Sequence, residues 1–201
     1  CKSLLKIQPL NSIDSLGQNA FFGCSNLETI DLSQSPLTII ESGTFAGCTR
    51  LTHVTLPESI TAIADGAFSD CPNLTDINLP SSIKHIGSYA FFNCKSLLKI
   101  QPLNSIDSLG QNAFFGCSQL ETVDLSKSSL TCIEAGTFSG CAHLKSILLP
   151  HTISFIRDSA FSHCGELVET SLPITLRYIG ICAFFNCKKL TNIFLPNSIP
   201  I

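Results

Sequence analysis

The residues with the most reactive side chains are the eleven cysteines, since thiolates bind metals, form crosslinks and attack electrophiles. Nine of them recur every 23 or 24 residues: Cys1, Cys24, Cys48, Cys71, Cys94, Cys117, Cys141, Cys164 and Cys187. Structural zinc wants closely spaced pairs that converge in space, whereas residues one period apart form a line. Cys182 and Cys187, Cys141 and His143, and His163 and Cys164 are neighbours in sequence, but the plain reading of each cysteine is a buried, inert thiol. Disulfides between successive ladder cysteines fit the Cα spacing, yet parallel in-register positions do not supply the Cβ orientation a bridge needs, so reduced thiols are expected. Cys132 stands where Ile39 stands in the equivalent unit and reads as a core substitution. Cys182 is the candidate for a partly exposed, reactive thiol.

Other catalytic signatures are missing from the sequence. There is no G-x-S-x-G, H-E-x-x-H, Walker or G-x-G-x-x-G motif. His53, His85, His143, His151 and His163 recur with no acidic or nucleophilic partner, and a regular array offers no convergent pocket. No catalytic, cofactor-binding or metal-binding residue is assigned, and the chain is not expected to be an enzyme. A net charge of -3 with no lysine or arginine cluster argues against nucleic acid. No run of about 18 apolar residues is available to span a membrane. The chain begins at Cys1, lacks methionine and stops part-way through a unit, so a fragment of a longer array is expected.

The elements that carry these residues follow from the period. Cutting at each ladder cysteine aligns the chain as eight full units and part of a ninth, the signature of a leucine-rich solenoid. The unit reads C-x-x-L-x-x-I-x-L-P-x-x-I-x-x-I, a three- or four-residue spacer, then A-F-x-x. Its segment L-x-x-I-x-L, such as 74–79, alternates as a half-buried strand does. Proline then stops the ladder, because it has no N–H to donate. A second extended piece follows, as Ile83-x-x-Ile86, and Ala-Phe-x-x-Cys is expected to return through one turn of α- or 3₁₀-helix. One coil cannot cover its apolar face, but stacked coils bury a continuous core. Phe21, Phe45, Phe68, Phe91, Phe114, Phe138, Phe161 and Phe184 should form an aromatic spine opposite the strands, spreading the coils there and making the strand face concave.

A longer period is superimposed. Blocks 1–93 and 94–186 each contain units of 23, 24, 23 and 23 residues, and 94–116 repeats 1–23 identically. Gln8-Pro9-Leu10 and Gln101-Pro102-Leu103 put proline where a core leucine is expected, which predicts shortened strands in those two coils. No linker separates the blocks, so 1–201 is read as one domain, an α/β solenoid.

The unit is similar to the BspA-like, or treponemal-type, leucine-rich repeat, most clearly at LPSSIKHIGSYAFFNCKSLLKI over 79–100. The resemblance implies a right-handed curved solenoid, a cell-surface or extracellular location, and binding of a host or matrix protein. The outward strand positions are polar in the first coils, but Leu148, Val168 and Phe194 are apolar, flanked by Lys145, Glu169, Glu121 and Asp124. Contiguous exposed apolar groups mark a contact site, so these residues are the candidate partner-binding surface. The alternative is a structural protein that self-associates end to end into a rod, because neither end carries the polar cap a solenoid needs.

Overall fold

The computed structural model describes residues 1–7, 10–101, 103–168 and 170–193. Among these residues twelve short strands lie in two rows, one strand of each row per coil where both form. The first row holds β1 (Thr29–Asp31), β3 (His53–Thr55), β5 (Asp76–Asn78), β8 (Thr122–Asp124) and β10 (Ser146–Leu148). The second holds β2 (Ile39–Ile40), β4 (Ala62–Ile63), β6 (His85–Ile86), β7 (Ser108–Leu109), β9 (Cys132–Ile133), β11 (Phe155–Ile156) and β12 (Tyr178–Ile179). All pairings are parallel and join equivalent residues of successive coils, as Ile30 with Val54 and Val54 with Ile77. The period seen in the sequence is therefore the register of the sheets.

The apolar positions of the unit fill the interior. Leu27, Leu51, Leu74, Leu97, Leu120, Leu144 and Leu167 are buried, as are Ile40, Ile63, Ile86, Ile133 and Ile156. Eight phenylalanines stack in register from Phe21 to Phe184, with ring centroids 5.2–5.7 Å apart and planes within 16° of parallel. Each ring contributes most by leaving water, and offset stacking adds roughly 0.5–1.5 kcal/mol per pair.

The expected helical return is corrected by the structure. No α- or 3₁₀-helix occurs among the described residues, so the molecule is a β-solenoid and not an α/β one. The reason is local backbone handedness. Each return contains two residues at positive φ, for example Gly43 (62°) and Gly47 (71°), Tyr89 (58°) and Asn93 (58°), or Ser159 (56°) and His163 (63°). A left-handed residue every fourth position cannot continue a right-handed helix. Its N–H groups alternate in use instead. Thr44, Ala46 and Cys48 donate within their own coil, to Glu41, Gly43 and Phe45, whereas Gly43, Phe45 and Gly47 donate to Asp65, Ala67 and Ser69 of the next. The return is thus a third ladder running along the stack.

Departures from the unit show up as breaks in the sheets. Among the described residues the coil at 94–116 has no first-row strand and the coil at 1–23 a bridge between Lys6 and Thr29, in keeping with shortened strands in the QPL units. Gln101 makes good part of the loss: its side-chain Oε1 accepts the Leu79 N–H at 3.3 Å. Leu103 is buried. The second row breaks between β7 and β9, where a 23-residue coil meets one of 24. The return ladder crosses that break unbroken, with Phe114 N donating to Thr137 O at 2.9 Å and Gly116 N to Ser139 O at 2.8 Å. In the longer coils the extra residue is taken up by a tight turn: Asp31 Oδ1 accepts Ser33 N at 3.0 Å, and Asp124 Oδ1 accepts Ser126 N at 2.9 Å.

Two comparisons of stability test this account. Phe91→Ala empties the middle of the stack and should cost about 3–5 kcal/mol, whereas Phe22→Ala, at an exposed neighbour of the spine, should stay within about 0.5 kcal/mol. Gly110 and Gly17 occupy the same position of two identical coils. A Cβ on Gly110 would lie 2.6 Å from the Gly87 carbonyl carbon, while one on Gly17 meets nothing within 4 Å. Urea midpoints should show Gly110→Ala destabilised by roughly 1–3 kcal/mol and Gly17→Ala nearly silent; equal effects would refute coil-on-coil packing at this position.

Candidate interaction surface

The first-row strands face outward with alternate residues, because each has the exposure pattern of a strand buried on one side. Leu148, the last residue of β10, is 54% exposed, and Val168 on the next coil is 50% exposed. They border a shallow depression of about 280 Å³ whose other walls are Ile147, Thr170, Ser171, Thr191 and Asn192. Its floor has a sequence cause. Thr170 takes the position that Ile77 fills in the first block, and this smaller, polar side chain is buried with no hydrogen-bond partner for its hydroxyl among the described residues.

The charged members of the candidate set are partly engaged. Lys145 Nζ lies 3.1 Å from Glu121 Oε2, an exposed pair worth at most about 1 kcal/mol. Asp124 is held in the turn with Ser126, whose hydrogen bonds keep its carboxyl below the usual carboxylate range. Leu148 and Val168 both line this depression, while Lys145 and Glu121 are not among its walls. Glu169 and Phe194 lie outside the described residues.

The two blocks provide an internal control. The positions of Leu148, Val168 and Lys145 are occupied in the first block by Thr55, Thr75 and Thr52, in the same strand register. The fold does not need apolar residues there.

The second row carries a feature that the sequence reading missed. Phe155, in β11, pairs in register with Cys132 and Tyr178, and all three face away from the core. The Arg157 guanidinium lies 4.9 Å from the Phe155 ring centroid and 5.9 Å from that of Tyr178. Comparing blocks would have revealed it, since the equivalent residues are Ile39, Ala62, His85 and Ala64. The same register corrects Cys132. Its position, like that of exposed Ile39, is outward-facing, and the core residues are Ile40 and Ile133 beside them.

The ladder cysteines have a structural use. Cys71, Cys94 and Cys117 each donate their Sγ–H at 3.2 Å to the carbonyl of the phenylalanine one coil back, Phe45, Phe68 and Phe91. That carbonyl already accepts the backbone N–H closing its own coil, as Phe45 O does from Cys48 N at 3.2 Å. A serine at this position would keep the bond but lose the apolar fit. Burial, the largest cause, pushes Cys48 up to about 11 and the fully buried thiols beyond it. Cys132 is likewise raised to about 11, by burial first and then by Glu134. These raised thiols stay protonated at neutral pH, and the cysteines form no disulfide among the described residues. Cys182 is exposed at a positive φ of 56°, as its place beside the return anticipated.

Histidines are dispersed along the array: His85 Nδ1 meets Asp107 at 2.9 Å, His143 Nδ1 meets Ser118 O at 2.8 Å, and His163 Nδ1 meets Ser162 Oγ at 2.8 Å. Ser162 is buried, so the last pair presents no accessible nucleophile. Among the described residues no three His, Cys, Asp or Glu side chains converge to hold a metal, and no helix is long and apolar enough to cross a membrane.

Comparison with known proteins matches this architecture to a family. The model of the BspA type leucine rich repeat region matches residues 1–98 and 92–201, in six copies. The chain belongs to the BspA-type leucine-rich-repeat family. Repeat proteins of this family usually mediate protein interaction and are generally non-enzymatic. A leucine-rich repeat protein from Bacteroides ovatus is 34% identical, with a TM-score of 0.85 over 93% of this chain. The chain spans 48% of that protein's length. The leucine rich repeat protein of T. pallidum is 32% identical, with a TM-score of 0.73 over 81% of this chain and 78% of its own. A leucine rich cell surface protein from Faecalibacterium prausnitzii is 26% identical, with a TM-score of 0.55 over 90% of this chain and 69% of its own. No curated protein matches the sequence.

Thiol chemistry tests the cysteine assignment. With a chromogenic disulfide reagent at pH 8, Cys1 and Cys182 should react quickly in the folded chain, and the buried ladder only after denaturation. The raised thiols also set the sign of the alkaline response. Above the ordinary thiol pKa of about 8.5 the unfolded chain loses protons that the folded chain keeps, so stability should fall as pH rises. Urea midpoints unchanged between pH 8 and pH 10.5 would contradict this.

Proposed function

We propose that this chain is a protein-binding, adhesive segment of a surface or extracellular protein, which docks its partner on the first-row strand face around Leu148 and Val168. The observation that carries the reading is the pair of half-exposed aliphatic side chains bordering a depression, at positions where the first block carries threonine. A solvated sheet face gains nothing from such groups, whereas a partner covering both would gain about 25 cal/mol per Å² of apolar surface removed from water. The Lys145–Glu121 pair, exposed on the neighbouring coils, supplies polar contacts that favour specificity over affinity.

Placing the docking face on the strand side accords with two further points. The stacked phenylalanine rings put the bulkiest side chains on the return side, which favours a concave strand side. Solenoids use such inner surfaces for partners. A surface location is supported by the family and by the similarity to a bacterial cell surface protein.

The test is a double variant, Leu148→Thr with Val168→Thr, which copies the first block and so should leave the fold intact. The wild-type chain should bind at least one of a panel of immobilised matrix proteins or cell monolayers, and the variant should bind it at least tenfold more weakly with an unchanged circular dichroism spectrum. Equal binding by the two proteins would remove the docking face from these residues.

A further inference from the structure

The aromatic and arginine cluster on the second row belongs to a different sheet from Leu148 and Val168, and the proposed strand-face function does not use it. Phe155 and Tyr178 are adjacent in register, 37% and 41% exposed, and together form a two-ring platform across two coils. Arg157 lies on that platform, and Arg177 immediately precedes Tyr178. Arg50 is paired with Glu28, but Arg157 and Arg177 make no ion pair among the described residues.

Three physical points converge on this cluster. The fold does not demand it, because the first block builds the same sheet with Ala62, Ala64, Lys84 and His85. A guanidinium held over aromatic rings has already lost much of its rotamer freedom, so its planar fork can receive a carboxylate with little further ordering. Tyr, Phe and Arg are also the side chains enriched where interfaces gain most of their energy. The local charge narrows the occupant. Glu134 acts on Arg157, Asp158 follows it in the chain, and Asp158 Oδ1 is held by the Ile181 N–H at 2.8 Å. Two cations against two anions give a polyanion no net attraction, while a single carboxylate can still be gripped by a guanidinium fork.

We propose that Phe155, Arg157, Arg177 and Tyr178 form a second docking surface, which binds a protein segment carrying one carboxylate beside an apolar side chain. The apolar group covers the exposed ring edges, and the carboxylate takes the outward N–H groups of Arg157.

The surface can be tested independently of the strand face. Random dodecapeptides displayed on phage are selected on the full chain carrying Leu148→Thr and Val168→Thr, which silences the first surface. Selected peptides should carry Asp or Glu next to Leu, Phe or Tyr. Synthetic copies should bind at least tenfold more weakly, by calorimetry, when Phe155→Ala, Arg157→Ala and Tyr178→His are added. Those three changes copy the first block, so the melting temperature should move by only a few degrees. The assignment is overturned if no peptide is selected, if selected peptides lack acidic residues, or if the variant binds them equally well. Heparin binding this face more tightly than any peptide would also overturn it, by assigning the patch to a polyanion.

Discussion

A coil stacked in a solenoid cannot satisfy its own backbone: many of its N–H and C=O groups point along the stack and need a neighbour of matching length. That constraint governs the rest of the molecule. Equal coil lengths bring two strand rows and the return into register, so that three separate ladders close at once. The interior then takes one residue type per position, repeated. The phenylalanine stack and the cysteine ladder are two outcomes of this rule.

Where the rule is relaxed, the cost is visible and local. A proline in Gln101-Pro102-Leu103 removes a donor, and the first row stops at that coil, with the Gln101 side chain accepting the Leu79 N–H. An added residue in the 24-residue coils interrupts the second row, and the aspartate turn at Asp124 absorbs the excess chain. Neither departure stops the return ladder or the ring stack, and so the array stays continuous. Redundant ladders let a repeat protein tolerate irregular units.

The tandem duplication separates what the fold requires from what it permits. Core positions other than that of Thr170 keep the same residue types in both blocks, as with Ile63 and Ile156, or Phe68 and Phe161. Outward positions differ, with threonines, alanines and a histidine in the first block against Leu148, Val168, Phe155, Arg157 and Tyr178 in the second. Both proposed surfaces lie in coils six to eight.

The amino-acid order by itself determined the period, the parallel register, the residues that face the core, the coils with shortened strands and the exposed Leu148–Val168 pair. All of these follow from apolar residues returning at a fixed interval, which only stacking can bury. It did not determine the conformation of the returns. Ala-Phe-x-x-Cys reads equally as a helical turn, and the competition is decided by the next coil, whose carbonyls at Asp65, Ala67 and Ser69 take N–H groups that a helix would use internally. Nor did it place Arg157 over Phe155 and Tyr178, or turn Cys132 outward, because those neighbours are 2 and 21 residues from Arg157 and 23 from one another. Tertiary structure alone brings side chains from successive coils to one face, since their separation in space is one coil while their separation along the chain is a whole turn.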